Sequence, residues 1–148
     1  MTPQFDPRAF FDGQVRAWGI VQDWRGRMVR SFVVDIAGRR DGEGVILDED
    51  FVYSDGERQQ RTWHIESSAT GSFAGRANDI VGVAEGTAAG NALHWRYVMD
   101  LAVDGRSYRV KFDDWMWQLD ERVLANRSYI RKFGVTVAEV TLFMQRVD

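Results

Sequence analysis

The fold of this chain is decided by residues 111–129, KFDDWMWQLDERVLANRSY, together with the hairpins on either side of them. Apolar and polar residues alternate through much of residues 91–147, as they do in half-buried β-strands. Turn residues interrupt the alternation at Asp104-Gly105, Asp120-Glu121 and Phe133-Gly134. The stretch therefore predicts three consecutive β-hairpins, and the position of each turn predicts which residues stand opposite each other.

The first of these hairpins has two faces of different character. Its turn places Trp95 opposite Asp114 on a face that is otherwise apolar. The other face brings opposite charges together, pairing Arg96 with Asp113 and Asp100 with Arg109. One buried and one solvated face is a common arrangement for antiparallel strands. This register predicts that Asp113 points to solvent and Asp114 into the protein.

The second and third turns extend the inward wall. A two-residue turn at Asp120-Glu121 places Asp114 opposite Arg127, so the sequence predicts an interior ion pair. Removing Arg127 would then leave a buried acid unpaired and destabilise the fold by several kcal/mol. The sequon Asn126-Arg127-Ser128 is interpreted as part of a cross-strand polar row. The predicted wall consists of Trp95, Tyr97, Met99, Val110, Phe112, Met116, Tyr129, Val140 and Leu142.

Four large apolar residues fall on the outer face of the same hairpins: Trp115, Trp117, Leu124 and Phe143. Adjacent exposed aromatic residues on a monomer usually mark a contact. We expect the opening segment with Phe5, Phe10 and Phe11 to fold back over them. The alternative is that they form a dimer interface.

The rest of the chain repeats the strand pattern. We predict strands at residues 14–23, 27–38, 45–53, 58–66, 72–76, 80–87, 91–103, 106–119, 122–132 and 135–147. Ten strands joined by short turns indicate an all-β fold, a single antiparallel up-and-down β-barrel of the lipocalin or calycin kind, because closure removes exposed edges. Residues 1–13 would form an N-terminal cap and residues 14–148 the barrel.

Two features of the earlier strands bear on the interior. A turn at Ala89-Gly90 would place small residues opposite large aromatic ones, which makes room for the rings or leaves a cavity beside them. In one of the two possible assignments of inward and outward faces, Glu49 and Arg61 both point inward. They then form a second candidate pair of buried charges.

Composition limits the classes of function. The chain has 148 residues, a formal net charge of -3, no cysteine and two histidines. Nucleic-acid binding is not expected because acids and bases are interspersed, and no metal or cofactor is expected because too few ligands are present. No apolar run is long enough for a transmembrane segment. The numbered chain shows neither a signal peptide nor a lipid-carrying cysteine, which predicts a cytoplasmic protein.

Three functions remain open from the residues alone. The first is binding of a small hydrophobic or amphipathic molecule, with an anionic head group as one option, because Arg127 would receive that head group beside Asp114. Its other predicted contacts are Trp95, Tyr97, Met99, Phe112, Met116 and Tyr129. The second is a structural or interaction module, monomeric or homodimeric, that uses the outer aromatic residues. The third is a barrel enzyme with Asp114 or Glu49 as general acid or base. It ranks below the others because the sequence offers no evident nucleophile.

Several long motifs also carry a resemblance. They are residues 10–36, FFDGQVRAWGIVQDWRGRMVRSFVVDI, followed by LDEDFVYSDGERQQRTW, GNALHWRYVMDLAVDG, FDDWMWQLDERVLANRSYIRKFG and EVTLFMQ. Together they resemble the proteobacterial domain-of-unknown-function family 3833 from Phe10 to Arg146. The resemblance implies a bacterial source and a lipocalin-like fold, and many relatives resemble secreted lipoproteins. This chain departs from them in lacking the signal peptide and the cysteine. The family implies no activity, so no catalytic residue is carried over.

Overall fold

The chain closes into a ten-stranded antiparallel β-barrel in a computed structural model that describes residues 2–103 and 105–147, and the side chains of all of these except 102 and 103. A short helix, α1 (Pro7–Phe10), precedes the strands. These are β1 (Gly13–Asp23), β2 (Met28–Asp41), β3 (Gly44–Tyr53), β4 (Arg58–Ala69), β5 (Ser72–Ala77), β6 (Ile80–Ala89), β7 (Ala92–Val103), β8 (Arg106–Gln118), β9 (Val123–Lys132) and β10 (Val135–Arg146). Consecutive strands are neighbours, and β1 closes the ring by pairing with β10. The predicted up-and-down, lipocalin-like barrel is confirmed.

Turn chemistry explains where the strands reverse. Phe133 and Gly134 both have positive φ, 53° and 75°, as a two-residue hairpin turn that matches the strand twist requires. Gly56 takes φ 89° in the turn between β3 and β4, as expected of an Asp-Gly pair. The turn predicted at Asp104-Gly105 includes Asp104, which lies outside the described residues. Within them, no helix is long and apolar enough to cross a lipid bilayer.

The N-terminal segment closes one end of the barrel. Asp6 caps α1 by accepting a hydrogen bond from the Arg8 amide at 2.9 Å, and Pro7 occupies the first helical turn, where its missing N–H costs nothing. The Phe5 amide donates to the Gly90 carbonyl in the β6–β7 turn at 2.9 Å. The Arg8 guanidinium lies 5.6 Å from the centre of the Phe73 ring. These contacts hold the segment against the turns at one barrel end.

The three phenylalanines of this segment do not cover the outer aromatic residues. Phe5, Phe10 and Phe11 are buried in the same core cluster as the inward faces of the strands, and Phe11 lines the interior. The expectation that they fold back over the outer wall is therefore wrong. The open end of the barrel exposes apolar side chains of many strands, so a segment placed there removes that core from water.

The register between β7 and β8 is the predicted one. Trp95 stands opposite Asp114, and Arg96 opposite Asp113 on the outer face. Asp114 is 4% exposed, whereas Asp113 contacts the outward residues His94 and Arg131. The two adjacent acids are therefore separated by the strand, as predicted.

The register between β8 and β9 differs from the prediction by one residue. Asp114 stands opposite Ser128, and Arg127 stands opposite Trp115. The loop is longer than a two-residue turn because the Asp120 carboxylate accepts hydrogen bonds from the amides of Arg122 and Val123, both at 2.8 Å. A one-residue slip exchanges the two faces of a strand. Arg127 is consequently exposed, Tyr129 points outward, and Leu124 is fully buried.

A β-bulge in β10 returns the side chains of that strand to their predicted faces. The Phe133-Gly134 turn pairs Val135 with Lys132 as expected, but the register then shifts by one residue between Thr136 and Ala138. This second shift offsets the first, so Val140 and Leu142 face the interior as predicted. β9 is thus the one strand of these hairpins whose faces were assigned the wrong way round.

The β6–β7 turn is centred on Gly90-Asn91, one residue beyond the predicted Ala89-Gly90, so the strand pairing shifts by two residues. Ala89 stands opposite Ala92, and Gly86 faces Trp95, where the predicted turn would have placed Ala84. A displacement of two keeps every side chain on its predicted face. The expectation of small residues opposite a large ring is met by Gly86, where an added Cβ would lie 2.1 Å from the Trp95 ring.

Candidate functional site

A cavity of about 400 Å³ occupies the barrel interior. It extends from Pro7 and Phe11 at the capped end to Val29, whose side chain is 60% exposed, towards the other end. Most of its lining is aliphatic or aromatic. Six of the predicted ligand-binding residues lie in its wall: Trp95, Tyr97, Met99, Phe112, Asp114 and Met116. The cavity has the size and composition of small-molecule sites.

An array of aromatic rings forms one part of the wall. The rings of Tyr97 and Phe112 stack with their centres 4.9 Å apart, and Trp63 meets Tyr97 edge to face at 5.3 Å. Trp95 packs against Trp63 and fits because Gly75 and Gly86 carry no side chain beneath it. The strand glycines thus position a large flat surface inside a narrow barrel.

Asp114 is held by neutral donors instead of an arginine. The side-chain amide of Asn126 donates to its Oδ1 and also to the Trp115 carbonyl at 2.8 Å. Ser128 hydrogen-bonds to the same carboxyl group, and the Tyr97 hydroxyl lies 3.4 Å from its Oδ2. Burial raises the pKa of Asp114 to about 6, although these hydrogen bonds favour the ionised form and lower it.

The predicted second pair of charges, Glu49 and Arg61, is present in the wall, but Arg61 binds another acid more closely. Its Nε lies 3.0 Å from both oxygens of Asp79, and its Nη2 lies 2.8 Å from one of them. Its Nη1 is 3.9 Å from Glu49 Oε1, beyond hydrogen-bond distance. Burial raises the pKa of Glu49 to about 7; Arg61 opposes this rise, and Asp79 and Asp114 add to it.

Two predicted ligand contacts are not in this site. Arg127 is exposed on the outer face of β9, so it cannot receive a head group in the interior, and Tyr129 is outward beside Asp113. The positions predicted for them are filled by Asn126 and Ser128, which are both buried. The sequon Asn126-Arg127-Ser128 could have identified these residues. Its two neutral polar side chains can both donate hydrogen bonds to a buried carboxyl group.

Asp79, the third residue missed, follows β5 in a short turn. Its sequence context, Ala77-Asn78-Asp79, reads as ordinary turn composition. Only the pairing of β4 with β5 brings that turn beside Arg61. No local pattern could have identified it.

The outer wall carries an apolar row that crosses six strands. Each member is paired with the next: Trp117, Ala125, Phe143, Trp18, Val33 and Val52. We call this row the outer belt. Phe143 is 56% and Trp18 44% exposed. Of the four predicted outer residues, Trp115, Trp117 and Phe143 point outward, whereas Leu124 belongs to the core.

The chemistry available to the cavity is that of hydrogen bonding and proton transfer. A carboxyl group with a pKa of about 7 can give or accept a proton near neutral pH, and Glu49 is such a group. Among the residues that the structure describes, the lining contains no lysine, histidine or cysteine. Across residues 2–103 and 105–147, no group of three or more histidine, cysteine or acidic side chains is arranged to hold a metal ion.

Comparison with solved structures identifies a fold relative. The S-type phycobiliprotein lyase CPES from Guillardia theta superposes with a TM-score of 0.68 at 10% sequence identity, covering 95% of this chain and 90% of that one. At this identity the likeness concerns the fold alone. No curated protein matches the chain in sequence. The family model described as "Protein of unknown function (DUF3833)" matches residues 1–146. Because that match spans nearly the whole length, the chain belongs to the DUF3833 family of proteins of unknown function.

Proposed function

We propose that this barrel binds a small hydrophobic or amphipathic molecule in its interior. The observation that carries the proposal is the cavity of about 400 Å³, whose wall combines aromatic rings with a few polar groups. A barrel that served only as a scaffold would gain stability from filling that space with side chains, because voids forfeit packing contacts. The likeness to a phycobiliprotein lyase is one of fold and does not extend that protein's activity to this chain.

The polar groups of the cavity wall would orient a bound molecule. Asp114, Glu49 and Arg61 lie among apolar neighbours, so a ligand with one polar end would be oriented by them while its apolar body meets the rings. This is the arrangement expected of a site for amphipathic molecules.

A neutral hydrophobic dye, N-phenyl-1-naphthylamine, tests the proposal. We expect its fluorescence to rise on binding and the cavity-filling variant Ile130→Trp to abolish the rise, because Ile130 lines the interior. The matched control is Arg131→Trp, which places the same ring on the exposed face of the same strand. Equal dye binding by both variants would refute an interior site. Native mass spectrometry after gentle purification should also reveal a co-purifying molecule.

The outer belt favours a second candidate function, self-association. Exposed aromatic residues aligned across neighbouring strands form an apolar surface of the kind that mediates protein contacts. Sedimentation equilibrium should then show a dimer that the variant Phe143→Ser converts to a monomer. A wild-type protein that stays monomeric up to about 100 µM would exclude this candidate.

A further inference from the structure

The Glu49 carboxylate receives no hydrogen bond from any residue in the described part of the chain. Its nearest cation is Arg61 Nη1, at 3.9 Å, and its side chain is only 13% exposed. Buried carboxylates normally accept several hydrogen bonds, because leaving them without partners costs solvation free energy. The Glu49 carboxylate can therefore accept hydrogen bonds from a donor group on a ligand in the cavity.

The charge of the Arg61 guanidinium is already compensated by Asp79, and its remaining Nη1 faces Glu49. Its Nε and Nη2 both bind Asp79, at 2.8–3.0 Å, and its Nη2 also reaches the Met99 sulfur at 3.7 Å. One positive charge thus faces two acids, Asp79 and Glu49. The surplus charge on this side of the cavity is negative.

The opposite polar group adds to the same potential. Asp114 is held by Asn126, Ser128 and Tyr97, all of which are neutral. The other charged lining residue, Arg30, lies towards the uncapped end and is engaged by Asp55 and Glu57 at 3.0 Å and 2.6 Å. In the described part of the lining, no further cation is left to balance both Glu49 and Asp114.

The aromatic wall favours the same charge type. The faces of Trp63, Trp95, Tyr97 and Phe112 carry negative electrostatic potential, so a cation near them is attracted and an anion is repelled. The two carboxyl groups and the aromatic rings of the wall together favour a positive nitrogen over an anion. The head group expected from the sequence was an anion bound by Arg127, and that arginine lies outside.

We propose that the cavity selects amphipathic molecules whose polar end is a protonated nitrogen, an amine or amidine, bound by Glu49 with Asp114 contributing to the negative potential. This rests on the proposed function and specifies its ligand class. The apolar body of the molecule would pack against the aromatic array. An amine meets both needs of Glu49, because it supplies N–H donors and the missing positive charge.

Three ligands of matched chain length that differ in their head group test the proposal: decylamine, decanol and decanoate. Each is titrated by calorimetry and by tryptophan fluorescence at about pH 7.5. The amine, like that of lysine, stays protonated there. We expect decylamine to bind at least tenfold more tightly than decanoate, with decanol between them. Decanoate binding as tightly as decylamine would overturn the proposal while leaving interior binding intact. If none of the three binds, the proposed function fails as well.

Two variants locate the selectivity. Glu49→Gln should weaken decylamine binding about tenfold and leave decanol within threefold, because only the charge changes. The control Asp50→Asn removes a charge from the next residue of β3, which is exposed on the outer face, and should leave both affinities unchanged. If Glu49→Gln binds decylamine as the wild type does, the assignment to Glu49 is wrong. The wild-type comparison of head groups stands independently of how the variants fold.

Discussion

Glu49 and Arg61 stand directly opposite each other on β3 and β4, yet their charged atoms remain 3.9 Å apart because Arg61 binds Asp79 instead. The consequence is a carboxyl group that is only 13% exposed and has no close partner. Such a group lowers the stability of the native state whenever it is ionised. It therefore couples the stability of the barrel to pH.

The variant Glu49→Gln should stabilise the protein in a pH-dependent way. The native pKa of about 7 lies above the ordinary value of 4.5, so the native state binds the proton more tightly than the unfolded state does. Well below pH 4.5 the group is protonated in both states and costs nothing. The cost grows as pH rises from 4.5 to 7 and is constant above 7.

Urea denaturation at pH 4.5 and pH 8 measures this difference. We expect Glu49→Gln to exceed the wild type by less than about 0.5 kcal/mol at the lower pH and by about 3 kcal/mol at the higher one. Asp50→Asn controls for the loss of a negative charge and should show no comparable gain. A constant difference between variant and wild type at both pH values would contradict the prediction.

Neighbouring residues on β9 should differ sharply in their effect on stability. Asn126→Ala removes the amide that donates to Asp114 and to the Trp115 carbonyl, which should cost about 2–3 kcal/mol because buried acceptors lose their partner. Arg127→Ala should change stability by less than about 0.5 kcal/mol, since its side chain is exposed. Chemical denaturation compares the two. A large loss in Arg127→Ala and none in Asn126→Ala would restore the register expected from the sequence.

The close approach of Gly86 to Trp95 predicts a third effect. A Cβ at Gly86 would lie 2.1 Å from the indole ring, so Gly86→Ala should displace Trp95 and cost about 1–3 kcal/mol. A shift in tryptophan emission should accompany the loss of stability. Thr87→Ala, on the exposed face of the same strand, is the control. If Gly86→Ala left both thermal unfolding and emission unchanged, this packing would be incorrect.

The cap should contribute to stability as part of the core. Phe10 is 2% exposed and meets Phe5 and Phe11 edge to face. Phe10→Ala should therefore cost about 3–5 kcal/mol, as removal of a buried aromatic ring does. Trp24→Ala, at an exposed position in the β1–β2 turn, should have little effect. Equal melting temperatures for the two variants would show that the cap is dispensable.

Most of the fold could be predicted because β-strands and their turns leave strong local signals. Alternating side chains located all ten strands, and opposite charges across β7 and β8 fixed their register. The faces of β9 could not be assigned in this way. One face carries Leu124, Asn126, Ser128 and Ile130, and the other carries Val123, Ala125, Arg127 and Tyr129. Both mix polar and apolar residues, so hydrophobic pattern does not discriminate between them.

The candidate site was predicted as far as the register was correct. Asp114, Trp95 and Tyr97 were placed in the interior because they lie on β7 and β8. Asn126 and Ser128 were missed because one extra residue in the loop held by Asp120 shifts the register of β9 and exchanges its inner and outer faces. Asp79 was missed because its role depends on a contact between distant strands. Loop length and long-range contacts are physical properties that a local pattern does not contain.

The bulge at residues 136–138 has a further consequence for how such a barrel can change. The bulge and the β8–β9 loop each add one residue, on either side of β9. Together they decide which face of β9 points into the barrel, while β8 and β10 keep their own faces. Deleting one residue at each place would rotate β9 alone, exchanging Asn126 and Ser128 for Arg127 in the cavity wall. If the interior binds cations as we propose, a pair of deletions would place one arginine in the wall instead of two neutral side chains and would favour anionic ligands without any substitution. In this barrel, chain length at two places decides which side chains of β9 line the cavity.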